Sequence, residues 1–472
     1  MSQPYTYSLK VTRALLDRAR GARFSFGNDT AIVAVQHMLW QTVDLFRTVA
    51  EMGVNIKNIF ALGKVYSNSS PVIGTLRAMG VTVIDSSIPA PGEFHPCFQH
   101  DVERLWGVAA ETLGSRRIRR ILVLDDAGVC ITNVPASILN RYAVCAVEQT
   151  SAGMFLLEDN PPPFAVISWA RAAVKLEIGG PVFAQSFVDK LNTEFLHGIP
   201  LRGERIGIIG LGSIGRGVAK LAARQGNTVC FYDPDRDLQL RSPLPKRITR
   251  ARSLEELMRS CDYVFGCSGR DPFAGKWPME HRPGAKLFSV SGGDQEFGPI
   301  IKDLKNKPDL KVKPTWDIVS ELGPCGPIRI AYLGYPYNFV SRAPEAVPGR
   351  IVQLETGGLL AALIQARLHL ALFEKGKLDN RGIHRVSPRA QQFVYDRWLG
   401  VMRARNINLA DVFGHDPEML ADTERETWFI KNTQPHTSRS AVEVMLNRIV
   451  SRPIHSRLEG NAKPNLGALT RF

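Results

Sequence analysis

The stretch RIGIIGLGSIGRGVAKLAARQGNTVCFYDPDRD, residues 205–237, decides the fold of this chain. It opens with a β-branched run that enters a tight set of glycines at Gly210, Gly212 and Gly215. An amphipathic segment follows as far as Gly226, and a second apolar run ends at Asp233. A glycine triplet alone is a weak signal, but strand, turn, helix and strand in that order make one βαβ unit. Gly210 permits the turn, Gly212 lets a ligand approach the backbone, and Gly215 brings helix and strand together. The helix start, at Ser213 and Ile214, offers backbone N–H groups to a phosphate. Asp233 stands about twenty residues on, where a carboxylate accepts both ribose hydroxyls of NAD and repels the extra phosphate of NADP. Arg236 nearby works against that preference.

Outward from this unit, apolar runs alternate with helical stretches. AIVAVQHMLWQTVDLFRTVA, residues 31–50, has helical spacing and leads through NIFAL to the strand GVTVID. ILVLDDAG and YAVCAVEQTSAG read as strands ending in polar residues, as do CDYVFGCSG, KLFSVSGGD and IRIAYLGYPYNFV further on. The prediction is an α/β chain of two Rossmann-like, doubly wound parallel sheets with the NAD domain inserted into the substrate domain. The boundaries are 1–181 for the first part of the substrate domain, 182–350 for the NAD domain, 351–380 for an apolar return helix, and 381–472 for a helical C-terminal extension and tail. In such sheets ligands sit beyond the carboxyl ends of the strands, which points to Asp125, Asp126, Glu148 and Thr150. The alternative for each is a cap or turn role.

At 472 residues, with 44% hydrophobic and 22% charged content, the chain reads as a multi-domain globular protein. The net charge of +14 is spread along the chain without a nucleic-acid motif, so nucleic acid is not the expected partner. Seven scattered cysteines without zinc spacing read as reduced thiols, and no metal is expected. The apolar runs are broken short of the roughly 18–20 residues a bilayer requires. The N-terminus lacks a signal-peptide core, and the expected location is the cytoplasm.

The arrangement resembles formate and D-2-hydroxyacid dehydrogenases in domain plan, and the glycine segment is very like theirs. HMLWQTVDLFRTVAEMGV, NIF, LVLDDAG, VEQTSAG, VFGCSG, KLFSVSGGDQEF and the strand before Asn338 together resemble adenosylhomocysteinase over roughly residues 30–370. That resemblance implies tightly bound NAD that transiently oxidises a nucleoside or thioether-nucleoside, and a homo-oligomer. It implies catalytic roles for His37, Asp126 and Lys175, and substrate contacts at Asn58, Asp125, Glu148 and Gln149. It also implies cofactor contacts at Thr150, Ser151, Ser268, Gly269, Ser291 and Asn338, beside those of the glycine segment and Asp233.

Departures mark a remodelled pocket. Gln149 replaces the family's glutamate, Ala61, Leu62, Gly63 and Lys64 replace its adenosine-contacting run, and Gly292 replaces a histidine. Two other readings stand beside this one. The first is a D-2-hydroxyacid type NAD-dependent dehydrogenase, whose chemistry requires a cation for the substrate carboxylate and a histidine paired with a carboxylate. No histidine in the setting that chemistry requires follows the cofactor domain, since His384 comes only after the return helix. The second is an NAD-binding sensor or assembly protein without turnover.

Overall fold

The computed structural model describes residues 8–236, 244–274, 277, 279–313, 317–323, 325–340, 345–347, 349–404 and 441–451. After α1 (Lys10–Gly21) come β1 (Thr30–Gln36), α2 (Trp40–Glu51), β2 (Ile59–Gly63), α3 (Ser70–Met79), β3 (Thr82–Ile84) and α4 (Phe94–Gly114). Then follow β4 (Arg120–Asp125), the one-turn helices α5 (Val129–Thr132) and α6 (Ala136–Leu139), β5 (Ala143–Glu148), α7 (Ser151–Asp159) and β6 (Val166–Ser168). These strands pair in parallel, and their side chains alternate between two cores. Ile121 and Val123 of β4 enter one, while Leu122 and Leu124 enter the other. Burial on both faces is why such strands read as continuous apolar runs. It also explains a correction: residues 31–50 are not one helix. Thr30–Gln36 is fully buried strand, and the helix starts only at Trp40, so His37 falls at a strand end.

A π-type turn at Lys175–Gly179 leads into α8 (Gly180–Lys190) and the second domain. There β7 (Arg205–Ile209), α9 (Ser213–Arg224), β8 (Thr228–Tyr232), β9 (Ile248–Arg250), α10 (Leu254–Ser260), β10 (Tyr263–Gly266), β11 (Ala285–Ser289) and α11 (Gly298–Lys305) follow in order. β12 (Lys311–Val312), β13 (Ile318–Gly323) and β14 (Gly326–Ile330) complete an eight-stranded sheet of order β12-β13-β14-β11-β10-β7-β8-β9. Only β13 runs against its neighbours. The order reverses between β7 and β10, the switch point at which such sheets bind ligands.

The chain returns through α12 (Gly349–Phe373), β15 (Ile383–Arg385), α13 (Pro388–Arg403) and α14 (Ala441–Val450). Here the structure departs from the predicted boundary. β15 pairs in parallel with β6, completing a seven-stranded first sheet of order β15-β6-β5-β4-β1-β2-β3, and α13 and α14 bury apolar faces in the same core as α1 and α12. Residues 383–403 and 441–450 therefore belong to the first domain rather than to a separate extension. The rest of the predicted extension, 405–440 and 452–472, lies outside the described residues. Ile351–Phe373 is long and apolar enough to cross a membrane, contrary to the reading that the apolar runs stop short of that length. With 83% of its apolar window buried, it is a core helix of this fold.

Arg120 ties this return helix to the first sheet. Its guanidinium donates to both carboxylate oxygens of Glu374, at 2.7 and 2.6 Å, and to Asp29 at 2.6 Å. Removing a largely buried cation strands two carboxylates, so Arg120→Ala should cost about 3 kcal/mol, read as a lowered urea midpoint. An unchanged midpoint would count against this anchor.

Candidate active site

Four neighbouring strands of the first sheet, β5, β4, β1 and β2, each place the next residue at the same carboxyl edge. These residues are Gln149, Asp126, His37 and Lys64, and they meet around one carboxylate. Lys64 Nζ and Gln149 Nε2 both donate to Asp126, and His37 Nε2 lies 3.2 Å from Asp126 Oδ2. Gln36 in turn donates to Gln149 Oε1 at 3.0 Å. On the other side of the imidazole, His37 Nδ1 is 2.7 Å from Ser67 Oγ. Burial works to raise the Asp126 carboxyl, but the Lys64 ammonium and His37 overcome it and hold the group well below the usual carboxylate range. Burial likewise disfavours the Lys64 charge, and Asp126 restores it.

The second domain closes over this group. Phe339 stacks on the His37 ring at 4.4 Å, next to buried Asn338. Tyr66 stacks on Tyr335 at 5.0 Å, and its hydroxyl accepts the Gly293 N–H at 3.3 Å. A side chain built at Gly292 would place its Cβ 3.9 Å from Lys64 Nζ. The ammonium therefore sits where the two domains face each other.

The glycine turn fits a dinucleotide. A Cβ at Gly215 would lie 2.0 Å from the Gly210 carbonyl oxygen and one at Gly210 would lie 2.6 Å from Ser268 Cα, whereas one at Gly212 meets nothing within 4 Å. The turn is closed on its inner side and open on the side where a pyrophosphate would lie. Ile214 is half-buried beside it. Ser213 commits its hydroxyl to the Leu176 carbonyl, leaving its backbone for the ligand. Asp233 sits at the end of β8 and accepts the Leu211 N–H at 2.7 Å. The Ser268–Gly269 loop reaches Ala152 across the domain boundary, at 3.9 Å from a Cβ built at Gly269. Thr150 caps α7 by accepting the Gly153 N–H, and Ser151 is exposed beside it.

Residues 183–269 match the family described as D-isomer specific 2-hydroxyacid dehydrogenase, NAD binding domain. The cofactor is NAD. Over 301 residues the chain is 28% identical to an uncharacterized protein of Mycobacterium tuberculosis, an alignment covering 63% of this chain and 57% of that protein. The chain thus spans just over half the length of that relative. Over 109 residues it is 33% identical to D-3-phosphoglycerate dehydrogenase of Haemophilus influenzae, covering 21% of this chain and 25% of that one. Among solved structures, the NAD+-bound 3-phosphoglycerate dehydrogenase of Entamoeba histolytica is 12% identical, covers 75% of this chain and 98% of its own, and superposes with a TM-score of 0.34.

The family match overturns the adenosylhomocysteinase reading, and with it the nucleoside substrate. The structure engages several residues that reading implied with partners of their own. Asn58 precedes β2 at the opposite edge of the sheet and is held by Arg116 and the Asn28 carbonyl. Asp125 turns inward to accept the N–H groups of Asp126 and Ile131, and Glu148 accepts the N–H and hydroxyl of Thr150. Both are fully buried supports, and burial raises both carboxyls above their usual range. Lys175 pairs with Glu355 of α12, outside the Asp126 group. His384 lies on the edge strand β15, with Nε2 2.9 Å from the Arg381 carbonyl oxygen, away from the cofactor domain. Sequence reasoning passed over Ser67, Phe339 and the buried Glu296, and noted Lys64 only as a departure from a family pattern. Lys64 carried one available signal, as the first residue after an apolar strand, the same position that His37 and Asp126 hold on theirs.

Proposed function

We propose that the chain is an NAD-dependent oxidoreductase that interconverts a small 2-hydroxy acid and its 2-oxo acid, with His37 as the acid–base. The observation that carries this is the His37–Asp126 pair, backed by Lys64 and set under the cofactor domain's Asn338–Phe339 segment. Asp126 fixes the imidazole from Nε2, so the exchangeable proton is handled at Nδ1, where Ser67 Oγ now sits. In the oxidation, the substrate hydroxyl takes the place of Ser67 and gives its proton to Nδ1. The glycine turn at 210–215 and Asp233 would hold NAD, which would supply the hydride acceptor for the carbon that bears this hydroxyl. Lys64 keeps Asp126 ionised and adds positive potential toward an acid's carboxylate, while the interdomain aromatic rings keep water out.

The test is a panel of short 2-oxo acids with NADH and the full chain, following loss of reduced-nicotinamide absorbance. Turnover of at least one, with the matching 2-hydroxy acid reversing it, supports the reading. Tight NADH binding without turnover of any of them would sink it.

A further inference from the structure

Beneath the cofactor site lies a carboxyl that the chemistry above does not use. Glu296 is fully buried and reaches two loops at once. Its Oε1 accepts the Gly269 N–H at 2.7 Å and the Ser291 hydroxyl at 2.6 Å, and Ser268 Oγ lies 3.1 Å from both of its oxygens. Ser268–Gly269 follows β10 and touches the glycine turn, since a Cβ at Gly210 would lie 2.6 Å from Ser268 Cα. Ser291 follows β11 and precedes Gly292 and Gly293, which face Lys64 and Tyr66. One side chain therefore links the phosphate-binding turn to the segment that faces the proton-transfer group.

Counting protons decides the state of that side chain. Ser268 Oγ lies 3.0 Å from the Arg270 carbonyl oxygen, which can only accept, and it receives the Arg270 N–H at 3.2 Å. The single hydroxyl proton of Ser268 thus has a partner already. Its contact with Glu296 Oε2 is satisfied when the proton comes from the glutamic acid. The groups that hydrogen-bond the carboxyl among the described residues are hydroxyls and amides, and burial raises it to about 7 against the pull of those hydrogen bonds. A bound pyrophosphate beside the Ser268 loop adds negative charge and favours the neutral form further.

We propose that Glu296 is a positioning residue that fastens the two cofactor-facing loops as a neutral acid, so that dinucleotide binding is coupled to a proton held between Glu296 and Ser268. The other titratable groups on the surrounding segments are Cys267, whose thiol burial pushes far up, Arg270, which lies over the Phe155 ring, and Asp294, which faces His95 at 3.7 Å. The isosteric Glu296→Gln leaves all of these in place and mimics the neutral acid, accepting at Oε1 and donating to Ser268.

The measurement is NADH affinity by fluorescence titration across pH, which reads binding rather than turnover and so stands or falls apart from the 2-hydroxy acid reading. Wild-type affinity should weaken roughly fivefold to tenfold from about pH 6 to about pH 8.5, while Glu296→Gln binds as tightly as wild type at the acid end and stays flat. Glu296→Ala should bind roughly tenfold more weakly throughout, because it removes the acceptor that ties the two loops and leaves the Gly269 N–H only Ser291 Oγ at 3.1 Å and the Ser291 hydroxyl only the Gly266 carbonyl oxygen at 3.5 Å. If the alanine variant does not fold, Ser268→Ala carries the second test: without the proton's acceptor, the wild-type midpoint should move to lower pH. A Glu296→Gln profile with the wild-type slope, a glutamine variant as weak at the acid end as the alanine variant, or an unmoved midpoint in Ser268→Ala would overturn the proposal.

Discussion

His37→Gln should lower kcat on the 2-oxo acid found by the panel by roughly 10²- to 10⁴-fold, the span that a positioned acid–base group supplies. NADH affinity should stay within about twofold of wild type, because the dinucleotide turn belongs to the other domain. The size of the effect follows from the arrangement. The imidazole is held between Asp126 and Ser67 and beneath Phe339, so its orientation is set before substrate arrives. Glutamine keeps a polar group of similar reach but cannot shuttle a proton. Steady-state kinetics beside an NADH titration check this, and a glutamine variant with wild-type kcat would remove His37 from the chemistry. Asp126→Asn should also lower kcat, because it replaces the carboxylate that orients the imidazole from Nε2 and accepts from Lys64 and Gln149 with an amide that can donate to His37 and favour the wrong tautomer.

How much of this was legible from residues alone depended on whether the governing contacts were local. The βαβ unit at 205–233 was readable because its demands are met within one stretch: β-branched strand, turn glycines, amphipathic helix, carboxylate. The strand ends at Asp126 and Gln149 were readable in the same way. The helix drawn across residues 31–50 was not, because a strand buried on both faces and a buried helix carry the same apolar content. Only the sheet position, between β2 and β4, makes Thr30–Gln36 extended.

The site itself was split between local and non-local information. His37 and Asp126 were marked for attention, but Lys64 was noted only as a departure from a family pattern. Its meeting with Asp126 depends on the spatial order β4-β1-β2, which no stretch of sequence displays. Asp125 and Glu148 show the converse. An acidic residue at a strand end looks the same whether it faces a ligand or holds the following backbone, and here both accept N–H groups of the residues that follow them. Asn58 and Lys175 rested on resemblance, and the structure engages each with a partner away from the Asp126 group. Glu296 gave no local signal, because its partners come from two loops that only the parallel sheet brings together.

Lys64→Met should destabilise the fold by about 3–5 kcal/mol, and the double variant Lys64→Met with Asp126→Asn should recover most of that loss. Lys64 is 1% exposed and Asp126 4%, so deleting the ammonium leaves a buried carboxylate with only His37 to balance it. The pH dependence should change sign. In the wild type the Asp126 carboxyl is depressed, so its contribution is present above the unfolded carboxylate value of about 3.9 and lost as pH falls through the lower folded value. Without Lys64, burial dominates and raises that carboxyl. Its folded state then prefers the proton, and stability is lost as pH rises toward neutrality. Urea unfolding of wild type, Lys64→Met, Asp126→Asn and the double variant, at about pH 5 and about pH 8, separates these terms as a double-mutant cycle. Recovery in the double variant, with a single-variant deficit larger at the higher pH, identifies the uncompensated charge as the cause. Equal destabilisation of Lys64→Met and the double variant at both values would instead trace the loss to packing against Phe98.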